Sequence, residues 1–205
     1  MRIINPSVEI VAMPTYPESL RIVESAARTC YKSEDRIGEG SAEKLIRHCI
    51  KRGHESVLEH VGFTLRIVTD RGVLAELTRH RIGVAFSVES TRYVRYDGDM
   101  AFVEPWWWED PNVDELCHRL FRVVCDDAED IYLAMINNGM SPQAARAILP
   151  LSLATTITMT ANIREWRHIF KLRCDSAAHP DIVRVMTMAR DIARGNLPVF
   201  FEVQP

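Results

Sequence analysis

Residues 151–174 read Leu-Ser-Leu-Ala-Thr-Thr-Ile-Thr-Met-Thr-Ala-Asn-Ile-Arg-Glu-Trp-Arg-His-Ile-Phe-Lys-Leu-Arg-Cys. Residues 151–160 are rich in Thr, Leu and Ile, the composition of a strand. From Asn162 the apolar spacing changes: Ile163, Trp166, Ile169 and Phe170 fall three and four apart, which predicts a helix over 162–174. A strand running into an amphipathic helix sets the class, and the flanks agree. Downstream, Pro180 opens a helix to about Arg194. Upstream, Ser141-Pro142 is an N-cap with proline at the first helical position. Val113, Leu116, Leu120, Val124, Ala128, Ile131 and Met135 predict the longest helix, ended by Gly139. Pro105 with Trp106, Trp107 and Trp108 reads as a loop or helix approach, and residues 93–96 read as extended. Residues 72–81 read as a helix, and Phe63, Leu65 and Ile67 as a strand. Ser41 reads as the N-cap of a helix through Lys51 that Gly53 ends, with a charged loop over 33–40 before it. Pro17 starts a helix to about Tyr31, and Val8 and Ile10 form a short strand before Pro14. No repeat or linker interrupts the chain, so one α+β domain over residues 1–205 is expected.

The bulk numbers fit that reading. The chain has 205 residues, 47% hydrophobic and 26% charged, ordinary for one globular domain. No apolar run approaches the roughly 20 residues of a membrane span, and Met1 to Pro6 lacks the pattern of a signal peptide. The five cysteines (Cys30, Cys49, Cys117, Cys125, Cys174) contain no CxxC pair and read as reduced, core-filling thiols of a cytoplasmic protein. A net charge of −3 gives no basic field for nucleic acid. Yet 21 Arg stand against 4 Lys, with six Arg and no Lys between Arg66 and Arg95. The planar guanidinium fork suits small phosphate or carboxylate ligands; a genome-wide compositional bias is the competing account.

Two arginine placements carry chemistry. On the helix over 72–81, Val73, Leu74 and Leu77 define the buried sector; Arg81 projects into it, His80 lies at its edge and Arg79 points elsewhere. A buried guanidinium needs an anion or several carbonyls, unless the helix stops early and these residues are surface caps. On the helix over 162–174, Arg173 falls within the apolar face, with Arg164 and His168 on the opposite side. It is either a functional group or a last-turn arginine reaching the helix-end carbonyls. His54 and His60, six apart, share no face, so no metal site is expected there. No GxGxxG or Walker loop occurs, and the three tryptophans read as packing.

Arg79-His80-Arg81 followed by Ser90-Thr91-Arg92-Tyr93 resembles the signature of flavin-dependent thymidylate synthases, Arg-His-Arg, seven residues, then Ser-x-Arg. Further blocks resemble the family in order: residues 26–31 (Ala-Ala-Arg-Thr-Cys-Tyr), 53–60 (Gly-His-Glu-Ser-Val-Leu-Glu-His), 146–150 (Arg-Ala-Ile-Leu-Pro) and 162–173. Here eight residues, Ile82 to Glu89, separate the two halves of the signature, one more than in the family.

The resemblance implies a mostly antiparallel central sheet flanked by helices, assembling as a homotetramer with active sites between subunits. It implies FAD as cofactor, NADPH and methylenetetrahydrofolate as co-substrates, and dUMP converted to dTMP without an attacking cysteine. Consistently, Cys117-His118 lacks a preceding proline. By motif position, Glu76, Arg79, Ser90, Thr91, Arg92 and Arg146 form the dUMP set, with Arg173 holding the uracil carbonyl and stabilising charge on the ring. His54, Ser56, Arg79, His80, Arg81, Asn162, Arg164 and His168 fall on the flavin and folate side. Neither metal, membrane nor nucleic acid is implied. Rival readings are a nucleotide C5 hydroxymethylase or dCMP-directed relative, and a non-catalytic flavin- or nucleotide-binding protein.

Overall fold

The computed structural model describes residues 1–202. Its elements are β1 (Arg2–Ile4), β2 (Ser7–Ala12), α1 (Tyr16–Thr29), α2 (Ser41–Lys51), β3 (Gly62–Asp70), α3 (Arg71–Leu77), β4 (Val84–Val88) and β5 (Ala101–Val103). There follow α4 (Glu115–Asn137), α5 (Pro142–Ala145), β6 (Ala154–Asn162), α6 (Ile163–Arg173), α7 (Pro180–Asn196) and α8 (Pro198–Phe201). A four-stranded sheet has the order β2-β3-β6-β4, and β1 pairs in parallel with β5. β3 and β6 are antiparallel: the Ile163 N–H donates to the Val61 carbonyl, and the Thr64 and Thr160 hydroxyls meet at 2.8 Å. The fold is α+β, as the sequence predicts. Among the described residues, no helix is long and apolar enough to cross a membrane.

The chain divides into two compact units. The first comprises Met1–Ser7, Ile67–Arg79 and Ser87–Ile157. Its core is Met100, Phe102, Cys125, Ala128, Tyr132, Ile136, Ala145 and Leu153. Helix α4 buries Cys125, Ala128, Glu129, Tyr132 and Ile136 at helical spacing. This corrects the predicted stripe: Leu116, Leu120, Val124 and Ile131 are 49%, 55%, 55% and 50% exposed. Val113 precedes the Asp114 cap. The helix is apolar on two sides, and periodicity alone does not say which side the fold covers.

The second unit comprises Val8–Arg66, His80–Phe86 and the chain from Thr158. Here α6 turns Ile163, Trp166, Ile169 and Phe170 inward, each at most 1% exposed. Trp166 stacks on Phe63 with ring centroids 4.9 Å apart, and its indole N–H donates to the Phe63 carbonyl. Each such side chain contributes about 1.5–3 kcal/mol by burial, so this face fixes α6. Gly62 permits the close approach of β3 to β6, because a Cβ there would stand 2.9 Å from the Ala161 carbonyl oxygen.

Several boundaries move. Helix α2 is capped by Gly40 in the left-handed region (φ 66°), not by Ser41, whose hydroxyl is drawn off to Glu24 at 2.6 Å. Gly53, at φ 72°, follows the end of α2 as expected. Strands β1, β4 and β5 and the short α8 were not anticipated. β4 lies within the segment 82–89 and half-buries Val84, Phe86 and Val88 in alternation. Residues 93–96 form no strand; the Ser90 carbonyl instead accepts from the Tyr93 and Val94 N–H groups, making a turn.

Candidate active site

In the second unit the site is built on α6. Asn162 caps the helix, its Oδ1 accepting from the Glu165 N–H at 2.9 Å. About three turns of helix then set Glu165 and Arg173 half-buried and Arg164 and His168 exposed. His80 packs against this helix. Arg173 Nε donates to His80 Nε2 at 2.9 Å. His80 Nδ1 lies 3.7 Å from a Glu165 carboxylate oxygen, and the His168 ring stands edge-on with centroids 6.1 Å apart. Burial, then the Arg173 charge and His168, push the His80 imidazole down to about 4. Burial also raises the Glu165 carboxyl above its ordinary range.

This corrects the reading of Arg79-His80-Arg81. Helix α3 ends at Leu77, where the Thr78 hydroxyl turns back to the Leu74 and Ala75 carbonyls. Beyond that point helical phase no longer applies. Arg79 and Arg81 are exposed, and His80, at 7% exposure, is the residue that goes inside. Arg173, expected within the apolar face, is half-buried, and it is not remote from the flavin-side residues, since His80 touches it directly.

Ligand atoms of His80, Glu165 and His168 lie within 4.8 Å of one another, a spacing that suits a divalent cation. The sequence reading did not foresee this cluster. Its protonation argues for hydrogen bonding instead. An arginine Nε–H only donates, so His80 Nε2 carries the lone pair and the ring proton sits on Nδ1. The adjacent guanidinium adds a charge that repels a cation.

Cavities among the described residues of this unit include two that hold predicted site residues. One, of about 730 Å³, has Gly83, Asn162, Arg164, Glu165, His168 and Lys171 among its lining residues. Its cations are partly engaged: Arg164 pairs with Glu59 at 2.5 Å and Arg167 with Glu55 at 3.2 Å. The other, of about 680 Å³, holds His54 and Ser56 with Arg28, Arg36 and His48. Five of the predicted flavin- and folate-side residues therefore fall into two places, and Arg79, His80 and Arg81 line neither cavity.

In the first unit, Ser90, Thr91, Arg92 and Arg146 come together. The Arg92 N–H donates to Ser90 Oγ at 3.3 Å, Arg92 Nε to Gln143 Oε1 at 2.9 Å, and Arg146 Nη1 to Thr91 Oγ1 at 3.3 Å. Both guanidiniums are exposed. Gln143 escaped sequence reading; its only signal is its place in the first turn of α5. Glu89 anchors this turn: Tyr96 Oη donates to its carboxylate at 2.6 Å, Arg71 Nη1 to its carbonyl at 3.2 Å, and its own N–H reaches the Thr156 carbonyl. Glu76 is half-buried on α3 and Arg79 lies just beyond that helix.

Residues 11–199 match the family described as Thymidylate synthase complementing protein. The flavin-dependent thymidylate synthase of Geobacter sulfurreducens is 30% identical over 202 residues, covering 95% of this chain and 85% of that protein. The flavin-dependent thymidylate synthase of a Synechocystis species is 28% identical, covering 95% and 92%. The crystal structure of the UMP/dUMP methylase PolB from Streptomyces cacaoi, bound with 5-Br dUMP, superposes with a TM-score of 0.82 at 25% identity, covering 98% of this chain and 96% of that one.

Proposed function

We propose that this chain, which belongs to the thymidylate synthase complementing protein family of flavin-dependent thymidylate synthases, methylates dUMP at C5 to give dTMP. Methylenetetrahydrofolate is the carbon donor and NADPH the reductant. The observation that carries the reading is the presence, in one chain of this family, of an exposed donor cluster and a half-buried guanidinium. Ser90, Thr91, Arg92 and Arg146 offer hydroxyls, N–H groups and forks for a phosphate, with Glu76 and Arg79 completing the nucleotide set. Arg173 offers N–H donors to a uracil carbonyl where negative charge develops.

The residues fit a flavin nucleotide. Arg164, His168 and Lys171 line one cavity with donors suited to an anionic cofactor, and His54 and Ser56 line the other. FAD, when bound, supplies the reducing equivalents that turn the transferred carbon into a methyl group. Asn162, Arg164 and His168 with Arg79, His80 and Arg81 hold it; His54 and Ser56 serve the folate side. Arg164 must exchange Glu59 for the ligand. No thiol is needed, and burial pushes the Cys49, Cys125 and Cys174 thiols up, away from the reactive thiolate.

A homotetramer fits the same reading. The exposed Leu116, Leu120, Val124 and Ile131 on α4 form an apolar stripe that another copy would cover. The division of the flavin-side residues between two cavities fits a site completed by several copies. Light scattering should give the tetramer mass, and Leu120→Asp should lower it.

The test is direct. Purified protein with FAD, NADPH, methylenetetrahydrofolate and dUMP should form dTMP and show oxidised-flavin absorption bands. Absence of both would remove the reading. A second substrate, UMP, is suggested by the similarity to the UMP/dUMP methylase PolB; comparing kcat/KM for UMP and dUMP decides between them.

A further inference from the structure

We propose that His80 is the positioning residue for Arg173, its ring Nε2 taking the guanidinium Nε–H and so setting where the arginine's planar fork stands. The inference rests on the reading above only in giving Arg173 a substrate to face.

The geometry comes first. Arg173 sits in the last turn of α6, where a long side chain has several rotamers to choose from. Its Nε–H reaches His80 Nε2 at 2.9 Å, an ordinary hydrogen-bond length. His80 enters from outside α6, in the segment after α3, and is 7% exposed. A contact from a separate, buried element removes rotamer freedom that the helix itself leaves open.

The chemistry of the acceptor comes second. A carboxylate in this place would hold the guanidinium more strongly, but it would also cancel its charge. A neutral imidazole orients the fork without itself neutralising the positive charge. The ring must then stay unprotonated, because a proton on Nε2 would set N–H against N–H. The surroundings enforce this. The groups facing His80 among the described residues are Arg173, His168 and Glu165, all on α6. The first two, with burial, keep the ring neutral at pH 7. At 3.7 Å the Glu165 oxygen is too distant for a hydrogen bond. It is close enough to favour the Nδ1–H dipole, and hence the tautomer that frees Nε2.

The first test needs no activity. Nitrogen-15 NMR of histidine-labelled, ligand-free protein should show His80 as the Nδ1–H tautomer, unprotonated down to about pH 5. Arg173→Ala should raise its pKa toward the ordinary value and release the tautomer preference. An Nε2–H ring in the wild type, or a His80 signal indifferent to Arg173→Ala, would overturn the proposal. The second test is kinetic, with FAD occupancy measured in each variant. His80→Gln can present its amide oxygen near the Nε2 position and should retain at least about tenfold more kcat than His80→Ala, the cost of lost orientation. Its acid limb should also flatten, since an amide does not titrate. Equal losses in both variants, tracking lost FAD, would mean His80 acts through the cofactor alone. A wild-type protein that forms no dTMP would end the functional reading while leaving the pairing to the NMR result.

Discussion

Arg173 is half-buried and donates to an uncharged ring nitrogen inside the second unit, whereas Arg92 and Arg146 are exposed and donate to an amide oxygen and a hydroxyl inside the first. In these three contacts the acceptors, His80 Nε2, Gln143 Oε1 and Thr91 Oγ1, are all uncharged. The difference lies in solvent. Away from water a charge acts through a lower effective dielectric and is worth several times more than the same charge at the surface. An exposed fork gains binding energy that salt screens within about 10 Å. Partly buried arginine therefore suits chemistry, and exposed arginine suits capture of an anion.

The largest effect should come from Arg173. Arg173→Ala should lower kcat by roughly 10²–10³-fold, as for loss of one donor to developing charge. Lysine should rescue poorly, because an ammonium cannot reproduce the fork. A near-normal kcat with a stability loss of about 0.3–1 kcal/mol would return Arg173 to the role of helix cap.

Next comes the pH dependence of its partner. His80 sits at about 4 when folded against an ordinary 6.5. Between these values the unfolded chain binds a proton that the folded chain refuses. Its contribution is thus full above pH 6.5 and declines as pH falls toward 4, by about 3 kcal/mol in all. Thermal unfolding from pH 7 to 4 should show a steeper loss in the wild type than in His80→Gln. Identical slopes would mean His80 is not held neutral by its surroundings.

Smaller, and of a different kind, is the effect at the surface cluster. Arg92→Ala should raise KM for dUMP by about 10–100-fold, the worth of one charge-assisted contact, with kcat nearly unchanged. Added salt should weaken wild-type binding more than that of the variant. A loss confined to kcat would erase the contrast between the two regions. Smallest of all, Cys30→Ala, Cys117→Ala and Cys174→Ala should each keep dTMP formation close to wild type. Loss of turnover in one of them, with fold and flavin intact, would point to a nucleophilic thiol.

Much of this was legible before folding was considered. The switch from β-rich composition to helical spacing at Asn162 placed β6 and α6 within three residues, because burial on one face leaves a period in the sequence. Gly53 and the Ser141-Pro142 start were readable because helix ends demand particular backbone conformations. Strand β4 is harder to read although Val84, Phe86 and Val88 alternate, since five residues with no fully buried position carry too short a period to stand out. The exposed side of α4 was misread for a simpler reason: two apolar stripes compete on one helix, and only packing selects the buried one.

What the sequence determined by itself is the family-like order of motifs, the α+β class, and the residue types at the site, because these depend on local spacing and chemistry. Tertiary structure alone decided that α3 stops at Leu77, that His80 and not Arg81 goes inside, and that Arg173 closes on its Nε2. Those facts join residues 93 apart in the chain. No local periodicity encodes such a contact; it follows from the burial of Trp166 and Phe170, which fixes α6 and with it the direction Arg173 can take.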